Sequence, residues 1–168
     1  MALSTALSSF RSKAAAWLVA ALIAQGTVVH YFAIRNIVPS LVLVTVVWYA
    51  MRFDVRDAAL YGFFAGVGED ILSFDAGGAW TIATTISAVL VSISTRDFFL
   101  DSVPFYTIVT AAVTLVRALI FWTVKSWEGF PAGLGTIHLH EALAQAVLNG
   151  AVAAVVMIVA RHLERAPQ

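Results

Sequence analysis

Leu60-Tyr61-Gly62-Phe63-Phe64-Ala65-Gly66-Val67-Gly68-Glu69-Asp70-Ile71-Leu72-Ser73 is an uncharged run that ends in two adjacent carboxylates and then turns apolar again. Gly62, Gly66 and Asp70 stand four apart, so on a helix they share one face. The two glycines form a small-xxx-small contact that admits a close neighbouring backbone, either as plain helix packing or as a groove for a partner's helix. An acidic side chain at the centre of a membrane span costs about 2.5–3.5 kcal/mol. Glu69 and Asp70 therefore either reach the headgroups at the end of a span or belong to a packed ionic site.

The composition around this stretch is that of a membrane protein. Of 168 residues, 61% are hydrophobic and 12% charged, with mean hydropathy +0.89; soluble domains average about 45–50% apolar and about 25% charged. Ten basic residues balance ten acidic ones, which leaves no excess to neutralise phosphates and argues against nucleic acid as a partner. The absence of cysteine excludes disulfides, thiolate metal sites and a cysteine nucleophile. The expected fold is a single all-α integral membrane domain over residues 1–168, with six transmembrane helices at about 14–34, 39–51, 57–72, 79–95, 103–124 and 139–160. Six spans of roughly 20 residues use about 120 and leave about 48, too few for a soluble domain. The second and third spans are short, as in folds that build a cavity or thin the membrane locally.

Charge sets the orientation. With the N-terminus cytoplasmic, Arg11, Lys13, Arg52, Arg56, Arg96, Arg161 and Arg165 lie inside, against Arg35 and Lys125 outside. That positive-inside bias places both termini in the cytoplasm, and Trp17, Trp48, Trp80, Trp122 and Trp127 fall near span ends as an aromatic belt requires. The start, Phe10-Arg11-Ser12-Lys13 before an alanine-rich run, imitates a signal peptide. Its apolar stretch continues to Ile34, longer than a secretory h-region, so an uncleaved first span is expected.

Arg117 lies fourteen residues after Val103 and seven before Val124, roughly 10 Å below the end of its helix at about 1.5 Å per residue. An arginine there must pair or snorkel. The third and fifth spans run the same way, so Glu69, Asp70 and Arg117 are expected to form an intramembrane polar cluster, structural or partner-binding. Ala16, Ala20 and Ala24 make a small-residue stripe on the first helix, suited to a bundle contact or to docking a second membrane protein. His138-Leu139-His140-Glu141 has the residue types of a zinc site. It lacks the His-Glu-x-x-His spacing, so no metal or cofactor is expected and these are read as headgroup-level polar residues, with Thr136 as a helix cap. No phosphate loop, nucleophile elbow or facing aspartate pair occurs, and beyond small hydroxyls the spans offer mainly Gln25, His30, Arg117, Gln145 and Asn149. The chain is accordingly read as a protein without catalytic activity.

Pro39-Ser40-Leu41 opening one span, Trp48-Tyr49-Ala50-Met51-Arg52 closing it, the Gly62 to Ser73 run and Gly77-Gly78 before the next span together resemble the bacterial rod shape-determining protein MreD family. The motifs cover roughly residues 39–95, and the hydropathy covers the rest. Ser40 stands where some members carry an aspartate, and Gly77-Gly78 replaces a Leu-Gly preceded by proline. The resemblance implies a non-enzymatic plasma-membrane scaffold of the cell-elongation (rod) complex, regulating cell shape and peptidoglycan synthesis. Its implied partners, besides membrane lipid, are an MreC-like bitopic protein, an MreB-like filament and peptidoglycan synthases. The family is also similar to the substrate-binding S components of energy-coupling-factor vitamin transporters, which dock through alanines four apart on the first helix, as Ala16, Ala20 and Ala24 are here. Against that alternative, the short outer loops at 35–38 and 73–78 offer few groups to read a vitamin. On the scaffold reading the partner groove is Gly62, Gly66 and Asp70, and Gly66→Leu is expected to abolish partner binding while insertion persists.

Overall fold

Six helices follow the apolar stretches: α1 (Ala2–Thr27), α2 (Leu41–Ala50), α3 (Val55–Ser73), α4 (Ala79–Ser94), α5 (Val103–Trp127) and α6 (Gly135–Arg165), the last preceded by a 3-10 turn over Ala132–Leu134. The structure, a computed structural model, describes residues 2–27, 31, 37–74, 77–96 and 102–165. Residues 28–30 and 32–34 of the expected first span, and Arg35 of the expected outer loop, therefore lie outside the described residues. No strand occurs among the described helices and their connections.

Consecutive helices alternate in direction. Ser40 meets Glu69 while Tyr49 stacks on Tyr61 at 4.1 Å, so α2 and α3 are antiparallel. Gly62 faces Ala88 and Gly66 faces Thr81 across α3 and α4, and Gly135 and Gly150 face Trp122 and Ala111 across α6 and α5. α1 and α3 run parallel, with the Tyr61 hydroxyl donating to the Ala14 carbonyl and Gly68 against Leu22.

The shortest helix is the centre of the bundle. α2 touches each of the other five and buries Val42, Leu43, Val44, Val46, Val47, Tyr49 and Ala50. Valine is a mediocre helix former in isolation, so packing against five neighbours holds this run helical, with only the stripe of Leu41, Thr45 and Trp48 left half-buried. Its 10 residues extend about 15 Å, half the roughly 30 Å of a bilayer's hydrocarbon core. A helix buried over most of its surface by protein has no need of that length.

α5 and α6 are long and apolar enough to cross a membrane, and α5 is inverted relative to a soluble helix. It buries Tyr106, Thr110, Thr114, Arg117 and Lys125 and exposes Ile108 and Leu119 at 66% and 67%. In water that arrangement would leave large apolar patches uncovered. The inward hydroxyls of Thr110 and Thr114 return to carbonyls one turn back, at 2.8 Å each.

The glycine face of α3 is occupied. A Cβ on Gly66 would lie 2.5 Å from Thr81 Cα and 2.8 Å from the Trp80 carbonyl oxygen, and one on Gly62 would lie 2.7 Å from Ala88 Cβ. The partner groove expected on Gly62, Gly66 and Asp70 is thus filled by α4. The reason is proximity in sequence: a small-xxx-small stripe takes the first compatible backbone, and α4 follows after a short connection with its own small residues Ala83, Thr84, Ser87 and Ala88 turned inward.

Candidate functional site

α2 starts in the middle of the protein, and its first turn has backbone groups that no helix satisfies. Three side-chain amides meet them. Gln25 of α1 donates to the Pro39 carbonyl at 3.1 Å and accepts from the Leu41 N–H at 2.8 Å. Asn149 of α6 accepts from the Ser40 N–H at 2.7 Å and donates to Thr114 Oγ1 of α5 at 3.0 Å. Gln145 donates to the Val38 carbonyl at 2.9 Å. Ser40 is the N-cap: its hydroxyl accepts from the Leu43 N–H at 3.1 Å and donates to Glu69 Oε1 at 3.2 Å.

Glu69 joins this junction to the rest of the bundle. Arg117 Nη1 lies 2.7 and 2.9 Å from its two carboxylate oxygens, and the Thr84 hydroxyl donates to Oε2 at 2.9 Å. The carboxylate therefore faces a guanidinium, two hydroxyls and the N-terminal end of α2. Arg117 is 2% exposed and lies 4.8 Å over the Trp80 ring, which itself stacks on Phe121 at 4.1 Å. Five helices besides α2 thus contribute to one buried polar junction.

Asp70 is not part of it. Its carboxylate turns to α4, accepting from the Trp80 N–H and the Thr81 N–H at 3.0 Å each and from the Thr81 hydroxyl at 2.5 Å. α4 needs this because its own N-cap, Gly78 at φ 71°, has no side chain to offer. The expected three-residue cluster therefore divides: Glu69 pairs with Arg117, and Asp70 caps a helix. Asp70→Ala is expected to cost about 1–2 kcal/mol, the upper range for a lost cap, read as a lowered Tm in detergent. An unchanged Tm would mean that the cap is redundant.

The remaining candidates disperse. Ala16 and Ala20 are exposed and Ala24 is half-buried, because α1 turns Ala14, Leu18 and Ala21 inward instead. His138 Nε2 donates to the Ala118 carbonyl at 3.0 Å, and His140 Nδ1 donates to the Thr136 carbonyl at 2.8 Å. The two rings serve separate backbones. Thr136 lies inside α6, which begins at Gly135, and so does not cap it. Beside Arg117 lies an open cleft of about 400 Å³, walled by Ile37, Val38, Trp80, Phe121, His138, Glu141 and Gln145.

Gln25, Gln145 and Asn149 are the residues whose role the sequence leaves unassigned. Their signal is the amide itself, two donors and an acceptor in an apolar helix where neither can stay unbonded.

A bundle that turns threonines, amides and an ion pair inward and leucines and isoleucines outward, with its inner polar groups engaged in holding backbone and helices together, is a helical membrane protein of structural kind. It matches a known family over residues 10–165: the chain belongs to the rod shape-determining protein MreD family. That family is a membrane-associated, shape-determining part of the rod-shape complex and not a known family of enzymes. Comparison with curated proteins found no match, and neither did comparison with solved structures.

Proposed function

We propose that this chain is a non-enzymatic six-span scaffold of the rod complex in the bacterial plasma membrane, both termini cytoplasmic, acting through contacts with other membrane and filament proteins. Membership of the family carries the shape-determining role. The positive-inside charge pattern supports the orientation, and the alternating helix directions are compatible with it. In that orientation the Glu69–Arg117 junction lies in the outer half of the membrane.

With α4 seated on the glycine face, the docking surface for an MreC-like bitopic partner moves to the outward side of α1. Ala16, Ala20 and Ala24 lie there beside exposed Trp17, Val19 and Ile23. A small-residue stripe lets a second helix approach closely in lipid, where packing and not hydrophobicity drives association. MreB-like filaments and peptidoglycan synthases would join through that partner or at the cytoplasmic loops.

Ala20→Leu tests the surface without touching the bundle. The tagged variant is expected to fold with unchanged Tm and to lose the bitopic partner on affinity purification from native membranes, while the parent protein retains it. Full retention by Ala20→Leu removes the α1 stripe from consideration. The alternative, a vitamin-transporter S component, draws on the same alanines and on the cleft beside Arg117; recovery of paired ATPases with a second polytopic subunit would favour it over the scaffold.

A further inference from the structure

We propose that the cleft beside Arg117 binds a zwitterionic group: a phosphate or carboxylate joined by a short chain to a protonated primary amine, as in the headgroup of an ethanolamine phospholipid. This does not depend on the scaffold role, since it concerns the isolated chain.

The anion half follows from Arg117. A guanidinium carries five N–H donors, and Glu69 engages Nη1 alone. Nε and Nη2 have no hydrogen-bond partner among the described residues, yet neither is sealed in protein, because Ser87 Oγ is the sole buried side-chain atom among those residues without a partner. Both nitrogens thus keep a trace of accessible surface on a residue that is 2% exposed and lines the cleft. Charged donors held in so dry a place are costly until an acceptor meets them. Two adjacent guanidinium N–H groups match two oxygens of one phosphate or carboxylate.

The cationic half follows from Glu141. It lines the same cleft from α6 and forms no ion pair among the described residues. With Glu69 already balancing Arg117, a simple anion entering the cleft would meet net negative charge. An ammonium carried on the same ligand removes that conflict by bonding to Glu141. Gln145 adds a further acceptor, since its Nε2 is spent on the Val38 carbonyl and its Oε1 is not. The stacked Trp80 and Phe121 rings form an apolar wall for the connecting carbons. A volume of about 400 Å³ lies at the small end of the roughly 300–1,000 Å³ typical of small-molecule sites.

The chemistry has two sources, a lipid headgroup or a free solute, and one experiment separates them. Delipidated protein in mild detergent is examined by native mass spectrometry with phosphatidylethanolamine, phosphatidylglycerol and phosphatidylcholine of matched acyl chains, and separately with phosphorylethanolamine. Phosphatidylethanolamine is expected to be retained about tenfold over the other two, the scale of one charge-assisted hydrogen bond. Phosphatidylglycerol lacks the amine, and the quaternary amine of phosphatidylcholine has no N–H. Glu141→Gln, at an exposed position, is expected to erase the preference over phosphatidylglycerol with Tm unchanged. Binding of phosphorylethanolamine at comparable strength would assign the site to a solute, and its failure to bind would assign it to the lipid. Equal retention of all three lipids, or a preference that Glu141→Gln leaves intact, overturns the proposal.

Discussion

Arg117→Ala is expected to strip most of the folded protein from the membrane, and to lower the Tm of what remains by an amount equivalent to about 3–5 kcal/mol. The pair itself need not be strongly stabilising, since bringing two charges out of water costs much of what their attraction returns. The loss comes from leaving Glu69, 9% exposed, charged and without its counter-ion. Adding Glu69→Gln should therefore recover part of the stability, because the amide carries no charge and can accept from one of the Ser40 and Thr84 hydroxyls through its oxygen while its NH2 donates to the other. A double-mutant cycle reads this coupling directly. Losses that simply add would mean that Glu69 and Arg117 do not depend on each other.

Gly66→Leu is expected to yield no folded protein. The atoms that a Cβ would meet are backbone, Thr81 Cα and the Trp80 carbonyl oxygen, so no rotamer change relieves the clash and α3 and α4 must separate. Overpacking typically costs about 1–3 kcal/mol and can cost more; here it also pulls Asp70 from the N–H groups of Trp80 and Thr81. Gly66→Ala sets the same Cβ against that backbone but carries nothing beyond it, so a smaller separation of α3 and α4 suffices and the protein should remain folded with a destabilisation of about 1–3 kcal/mol. This reverses the expectation from sequence, in which Gly66→Leu leaves a well-inserted protein that fails only to bind its partner. Normal yield and Tm for Gly66→Leu would restore the open groove.

Helix number, the family and the pairing of an acid with Arg117 are legible in the sequence because each rests on a local rule: apolar run length, motif order, and the cost of a charge in lipid. What escapes it is partner choice. Glu69 and Asp70 are adjacent and chemically alike, and only their different helix faces send one to α5 and the other to α4. The glycine stripe states that a backbone will come close, without saying whose. Ser40 reads as a missing acid, yet in the fold it caps α2 and donates to Glu69, where a second carboxylate would repel the first. The shortness of α2 is plain from residues 39–51, but its central position emerges only when all five other helices are seen to pack against it.

The absence of native cysteine allows the membrane placement to be measured with single introduced thiols. Cysteines at Arg56, Val47 and Phe130 of the functional protein would be probed with a membrane-impermeant maleimide, first on intact spheroplasts and then after permeabilisation. A six-span bundle with both termini inside and the Val47 face of α2 buried in the core predicts labelling of Phe130→Cys from outside, of Arg56→Cys only after permeabilisation, and of Val47→Cys in neither state. Labelling of Arg56→Cys on intact spheroplasts, or of Val47→Cys from either side, would contradict it.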